Sequence, residues 1–300
     1  METINISYSK DKLRKILLET FKAFDSFCSE NKIQYIGAYG TVLGAVRHKG
    51  IIPWDDDIDV YMTRENYDRF LQLKEKANKT KYKIVDIHDE GYYTPFARFY
   101  DSETTLWELE SIPFVIGIFI DIFPLDHSCD TIYHTKQQKK QISKWFWRYM
   151  FSLRNDTIHS IIHNLMQKDF YGFRVSLKFY VYHHLFFAPF KQKLKNKYLS
   201  LIERAKSNTG KDYIYYTTVD CLGKSIFKKE WIENTITVRF EDTTIKIPEK
   251  YDEYLTYLYG NYMQPPEPSK RKSHHYHYFV DLEQGMTVQQ IIQKIKGKPM

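Results

Sequence analysis

The feature that most restricts the fold of this chain is an acid set inside an apolar run: Asp121 in Gly117-Ile-Phe-Ile-Asp-Ile-Phe123. The run, with its flanking Ile116, reads as a buried strand, because Ile and Phe favour a pleated, packed surface. A carboxylate carried into such a strand without a partner costs several kcal/mol. A shared metal ion or a proton-accepting role would account for Asp121, as would a hydrogen-bonded structural carboxylate paired with backbone or a basic side chain.

A second acidic cluster lies in Trp54-Asp-Asp-Asp-Ile-Asp-Val60. Pro53 opens it and the stretch Trp54–Met62 reads as a strand. Alternate strand residues share a face, so Asp57 and Asp59 point one way while Ile58 and Val60 point into the core. Two carboxylates that close repel unless a cation lies between them, and oxygen donors suit Mg²⁺ or Mn²⁺. A solvated turn is the structural alternative, which the apolar alternation argues against. A calcium loop fails: counted from Asp55, Val60 and Asn66 stand where Gly and Glu are required.

Upstream, Gly37, Gly40 and Gly44 form neither the G-x-G-x-x-G nor the P-loop fingerprint. Gly40-Thr41 stands before a compact helix, Val42–His48, stopped by Gly50. A turn of this kind can offer N–H groups and a hydroxyl to a phosphate, or it can be an ordinary strand-to-helix connection. Arg47 and Lys49 are close enough to the acidic strand to face a phosphate, or to be surface charges.

The remaining elements follow from periodicity. Asp11–Asn31 is an amphipathic helix, Ile33–Ala38 a strand, Arg64–Ala77 a helix, and Tyr82–Ile87 and Phe96–Tyr100 strands. From Thr131 to Ser207 the chain is rich in Lys, Arg, Tyr, Phe and Trp, with a helical pattern. Strands Tyr213–Val219, Thr235–Phe240 and Thr243–Ile247 follow. The helix Tyr251–Tyr259 ends at Gly260, and a Pro-rich loop carries Arg271, His274 and His275. The expected division is a core over 1–130, an aromatic and basic helical insertion over 131–207, a C-terminal part over 208–280 packing back on the core, and a tail over 281–300.

Composition narrows the class. Lys+Arg 44 against Asp+Glu 37 leaves +7, which suits an anionic partner but is too mild to argue for nucleic acid. Cys28, Cys129 and Cys221 are odd in number and form no C-x-x-C pair, which fits a reducing compartment. Met1–Lys15 lacks the apolar core of a signal peptide. The most apolar stretches, Ile112–Phe123 and Phe179–Phe190, run about a dozen residues where a membrane span needs roughly 20. A cytoplasmic protein is expected, with aromatic and basic stretches near Lys144–Phe151 and Phe179–Phe190 that can form a helical core or rest on a membrane surface.

The stretch Gly40–Asp59, with Asp121 in a strand ending Asp-Ile-Phe-Pro-Leu-Asp126 and a closing Tyr259-Gly-Asn-Tyr-Met-Gln-Pro-Pro266, resembles the LicD family of phosphorylcholine transferases, relatives of the fukutin group with a nucleotidyltransferase-type fold. The resemblance brackets residues from about 10 to 280 and is thin between Thr131 and Ser207. It implies an α/β (α+β) fold, a mixed sheet flanked by helices. It also implies CDP-choline or another CDP-alcohol as donor, with a sugar hydroxyl of a bacterial surface glycan precursor, of teichoic acid or lipopolysaccharide type, as acceptor. Asp57 and Asp59 would then hold Mg²⁺ or Mn²⁺ against the pyrophosphate, and Asp121 would complete the metal shell or take the acceptor proton. Gly40, Thr41, Arg47, Lys49 and Arg98 would contact phosphate, and Arg271, His274 and His275 would close over the nucleotide or metal.

Three other readings use the same acids: a CTP-dependent nucleotidyltransferase, a nucleotide-sugar glycosyltransferase, and a non-catalytic binding protein on this fold.

Overall fold

The computed structural model describes residues 8–154, 158–166, 168–210, 213–215, 224–273, 275 and 277–297. It is a mixed sheet flanked by helices, with no helix among the described residues long and apolar enough to cross a membrane.

Helix α1 (Lys10–Glu30) starts where the Ser9 hydroxyl accepts the Lys12 N–H, and buries Leu13, Leu17, Phe21, Phe24 and Cys28 along one stripe. Strand β1 (Ile36–Gly37) leads to helix α2 (Tyr39–Arg47), then to β2 (Asp59–Thr63). Two corrections bear on the site. The helix begins at Tyr39, so Gly40 and Thr41 lie in its first turn and not before it. The strand begins at Asp59, so Asp55–Asp57 form a loop and not a ladder. Three successive carboxylates held to a loop can turn to different partners, whereas a ladder would fix alternate ones side by side.

Helices α3 (Arg64–Leu71) and α4 (Lys74–Ala77) replace the single helix expected, and β3 (Tyr82–Val85), β4 (Ala97–Trp107) and β5 (Ile116–His127) complete the core. The path through the sheet is β1-β2-β5-β4-β10, where β10 is Phe279–Asp281. The β2–β5 pairing is parallel and the rest antiparallel, with β3 also on β4. Every residue of β5 except His127 is buried, the mark of a central strand covered on both faces.

The insertion forms helices α5 (Ile132–Leu153), α6 (Ile158–Met166) and α7 (Phe170–Tyr182), a π-helical turn at His183–Phe187, a short 3₁₀ turn, and α8 (Lys191–Lys206). Helices α5 and α8 pack on the core through Ile142, Phe146, Tyr149 and Tyr198 against Ile87, Tyr93 and Ile112. The insertion's two ends meet. Strands β6 (Tyr213–Tyr215) and β7 (Ile226–Lys228) add to the far end of β5, pairing Asp126 with Tyr215 and His127 with Ile214. The Gly210 N–H donates to the Ser128 carbonyl at 2.9 Å. The rest of the expected strand Tyr213–Val219, like Cys221, lies outside the described residues.

Hairpin β8 (Thr235–Phe240) and β9 (Thr243–Pro248) and helix α9 (Tyr251–Tyr259) fall where periodicity puts them. Strand β10, at the junction of the C-terminal part and the tail, pairs with β4, and the tail carries one short helix, α10 (Val288–Lys296), which buries Ile291 in a cluster with Trp107 and Phe279.

Candidate active site

The parallel pairing of β2 with β5 sets Asp59 directly opposite Asp121. Asp57, just before β2, faces the same place: one carboxylate oxygen from each of Asp57, Asp59 and Asp121 lies within 4.8 Å of the others. Helix α2 is locked to these acids. The Thr41 hydroxyl accepts the Asp59 N–H at 2.8 Å, and the Asp59 carbonyl accepts the Ala38 N–H at 2.9 Å. Tyr39 opens the helix in the left-handed region, at φ 42°, its N–H donating to the Tyr254 hydroxyl at 3.0 Å. Such a conformation in a non-glycine residue persists only where its surroundings hold it.

Two glycines of the signature are required by close approach. A Cβ on Gly40 would lie 2.9 Å from the Asp55 carboxylate, and one on Gly44 would lie 2.4 Å from the Gly50 carbonyl. They let the loop carrying the acids fold back across α2.

The protein supplies its own control for what a structural acid looks like. Buried Asp126 is gripped by Arg64 at 2.6 and 2.7 Å, Asp101 by Lys81 at 2.7 Å and Asp86 by Lys74 at 3.0 Å. Asp121 has Arg98, whose Nε donates to Oδ1 at 2.7 Å. Among the described residues no Lys or Arg forms an ion pair with Asp57 or Asp59. Burial therefore pushes both carboxyls well above the usual carboxylate range, and the neighbouring acids push further: Asp55 on Asp57, and Asp57 and Asp121 on Asp59. Asp121 is raised by burial as well, with Arg98 opposing the rise. These three acids can hold a cation; Asp56, Asp57 and His275 form a second such group among the described residues.

The next acids in the loop behave differently. Asp55 is raised by burial and by the neighbouring charge of Asp56. Asp56 accepts from the Ser273 hydroxyl at 2.6 Å and lies 2.8 Å from His275 Nδ1. Burial would raise Asp56, but those hydrogen bonds bring it below its ordinary value. His275 Nε2 also lies 3.5 Å from Asp57. Burial alone would lower His275, but Asp56 and Asp57 hold it up at about 10, so it is an imidazolium at neutral pH.

A basic rim stands beside the acids. The Arg47 guanidinium is 5.9 Å from the Trp54 ring centroid and that of Arg271 is 5.4 Å from it. Arg47 donates to the Tyr262 carbonyl at 2.6 Å, and Arg271 to that of Pro266 at 2.9 Å. Burial and the charge of Arg271 lower Arg47, the sign of cations crowded together.

The structure thus brings together Asp57, Asp59, Asp121, Gly40, Thr41, Arg98 and His275, with Arg47 and Arg271 at the rim. Two expected phosphate contacts have partners within the fold. Lys49, just past the end of α2, is exposed and bonds the Val46 carbonyl at 3.1 Å. Arg98 is 4% exposed and bound between Asp121 and Glu108, which makes it a buried counter-ion and not an open phosphate ligand. His274 lies outside the described residues. Sequence reasoning missed Glu108, which bonds both Arg98 and the Tyr93 hydroxyl, along with Asp55, Asp56 and Ser273. Only the Asp-Asp-Asp run was visible as a signal for Asp55 and Asp56. Nothing around Glu108 marks it.

Residues 32–177 match the family model described as LicD/FKTN/FKRP, nucleotidyltransferase domain. The chain is 28% identical over 278 residues to a lipopolysaccharide cholinephosphotransferase LicD of Haemophilus influenzae, spanning 87% of this chain and 93% of that protein. An uncharacterised protein of Rickettsia typhi is 38% identical over 68 residues, 23% of this chain and 22% of that protein. The signature glycines and the acids across β2 and β5 agree with the match to that family model, which covers just under half of the chain.

Proposed function

We propose that this chain transfers phosphorylcholine, or a related phospho-alcohol, from CDP-choline or another CDP-alcohol to a sugar hydroxyl of a bacterial surface glycan precursor, of teichoic acid or lipopolysaccharide type, releasing CMP. The observation that carries the reading is the pair of half-buried Asp57 and buried Asp59, without a Lys or Arg ion pair among the described residues while other buried acids have one. The cholinephosphotransferase activity for which the Haemophilus relative is named supports the reaction class, and the chain spans most of that protein's length.

The donor set is oxygen only and fits a hard divalent ion. Mg²⁺ or Mn²⁺ held by Asp57, Asp59 and Asp121 would neutralise charge on the phosphates. The protein's own groups do the rest. The Arg47 and Arg271 rim draws in the anionic donor, and the His275 imidazolium adds a positive charge beside the acids. In the transfer, the acceptor oxygen forms its bond to the choline-bearing phosphorus as the bond to CMP breaks, and CMP leaves with the electron pair. Asp121, raised by burial and restrained by Arg98, is suited to take the acceptor's proton. A cytoplasmic location with peripheral contact at the inner face of the plasma membrane goes with this reading.

The test is turnover of purified protein with CDP-choline, CDP-ribitol, CDP-glycerol, CTP and UDP-glucose, in Mg²⁺ and in EDTA. Metal-dependent release of CMP from one CDP-alcohol, lost in Asp57→Asn and Asp59→Asn, is expected. Pyrophosphate from CTP would move the reading to a nucleotidyltransferase, and UDP from UDP-glucose to a glycosyltransferase. Neither binding nor turnover of any of these would leave a non-catalytic protein.

A further inference from the structure

Residues 131–207 contain fifteen Lys and Arg against three Asp and Glu, whereas the rest of the chain contains 29 against 34. The net positive charge of the protein therefore comes from the insertion, the rest being net negative. The same region holds 14 of the 17 large apolar side chains that are exposed among the described residues. They crowd onto α6, α7 and the turn after them: Met166 is 77% exposed, Phe170 67%, Tyr171 82%, Leu185 64% and Phe186 57%. Helix α7 has no buried residue at all, unlike α5 and α8, which pack on the core. A cavity of about 530 Å³ opens here, walled by Phe151, Tyr171, Phe179 and Tyr182 with Arg154 and Lys178.

An exposed apolar patch of this extent marks a surface that is covered in use. Its charge selects the cover. Over 158–197 the sequence has seven Lys and Arg and the single acid Asp169. A second copy of the chain would bring two such basic faces together, and like charges oppose that contact. Nucleic acid would match the charge but not the aliphatic Leu165, Met166, Leu177 and Leu185. Helices with exposed rings and aliphatics interleaved with Lys and Arg, none able to span, match the headgroup and acyl boundary of an anionic bilayer.

We propose that α6, α7 and the turn through Phe190 seat the protein on an anionic phospholipid surface, with Met166, Phe170, Leu185 and Phe186 entering the boundary and Lys168, Arg174 and Lys178 meeting lipid phosphates. The docking stands on this surface alone. Its purpose, to bring a lipid-linked acceptor to the acids, rests on the proposed transfer. Packing connects the insertion to the acids: α5 and α8 cover Tyr93, whose hydroxyl donates to Glu108, which holds Arg98 against Asp121.

The experiment is flotation of the full chain with phosphatidylglycerol-containing vesicles and with neutral phosphatidylcholine vesicles, at low and high salt. Wild type should float with the anionic vesicles and less so at high salt. Arg174→Glu with Lys178→Glu, and separately Leu185→Ser with Phe186→Ser, should each weaken binding at least tenfold. All these residues are exposed, so thermal melts should be unchanged, as should CMP release from a water-soluble donor. Failure of wild type to float, equal binding to neutral vesicles, or unchanged binding by both variants would overturn the docking. So would a dimer in sedimentation velocity that the Ser variant abolishes. Turnover of the soluble donor reads the transfer independently of all these outcomes.

Discussion

Replacing Asp59 with asparagine should stabilise the metal-free protein while abolishing its activity. The oxygens of Asp57, Asp59 and Asp121 lie within 4.8 Å of one another. At an effective dielectric of about 20, two unit charges at that distance repel by about 3 kcal/mol. The folded chain escapes part of this by keeping a proton on the cluster, in line with the raised Asp57 and Asp59. Asp59→Asn removes one charge, keeps the shape and adds a donor facing two carboxylates. The net gain should be about 1–3 kcal/mol, which for a chain of 300 residues raises Tm by about 2–5 °C. Calorimetry in EDTA at pH 7 measures it. Saturating Mg²⁺, at about 100 times its Kd, should stabilise wild type by about 2.7 kcal/mol and the variant by much less. Loss of stability in EDTA would refute the reasoning, because it would mean that the Asp59 carboxylate is satisfied by partners within the fold, as Asp126 is by Arg64.

Three further outcomes are expected. Gly44→Ala should cost about 1–3 kcal/mol in a thermal melt, since its Cβ would press on the Gly50 carbonyl at 2.4 Å. Glu108→Gln weakens the charge holding buried Arg98 and should cost about 2–4 kcal/mol in urea unfolding, with kcat reduced as Arg98 turns more fully onto Asp121. Asp86, which burial would raise, is instead held down at about 2 by His88 and Lys74. Its contribution of about 2 kcal/mol is present above the unfolded value near 4 and is lost as pH falls through 2, so the stability gap between wild type and Asp86→Asn should be full at pH 7 and mostly gone near pH 2.

The acids were legible because chemistry restricts where they can stand: Asp121 in an apolar run has few explanations, and a period of two puts Asp57 and Asp59 on one side whether or not the ladder reaches both. Their partners were not legible, because partners are set by pairing over long separations. Glu108 reaches Arg98 only through the course of β4, and Arg98 meets Asp121 only through the β4–β5 register. Nearness along the chain also says little about direction at a helix end, as at Lys49, whose backbone turns into the left-handed region at φ 59°. The Thr41 hydroxyl, expected to serve a phosphate, accepts the Asp59 N–H and so joins α2 to β2. Strand β10 was not legible, because three residues, Phe279–Asp281, make a weak pattern until β4 gives them an edge to pair with.

The closed stem of the insertion has a consequence for how such proteins diversify. The Asn208 side chain donates to the His127 carbonyl at 3.1 Å and Gly210 bonds Ser128, so departure and return of the chain are fastened before any helix of the insertion matters. Closing a longer excursion between fixed ends adds cost only as the logarithm of its length. The helices can therefore be lengthened, shortened or exchanged as a cassette while Asp59 and Asp121 stay in register. A lineage can keep one reaction and change the surface on which it is carried out, and a graft made at Ser128 and Gly210 should carry its address with it.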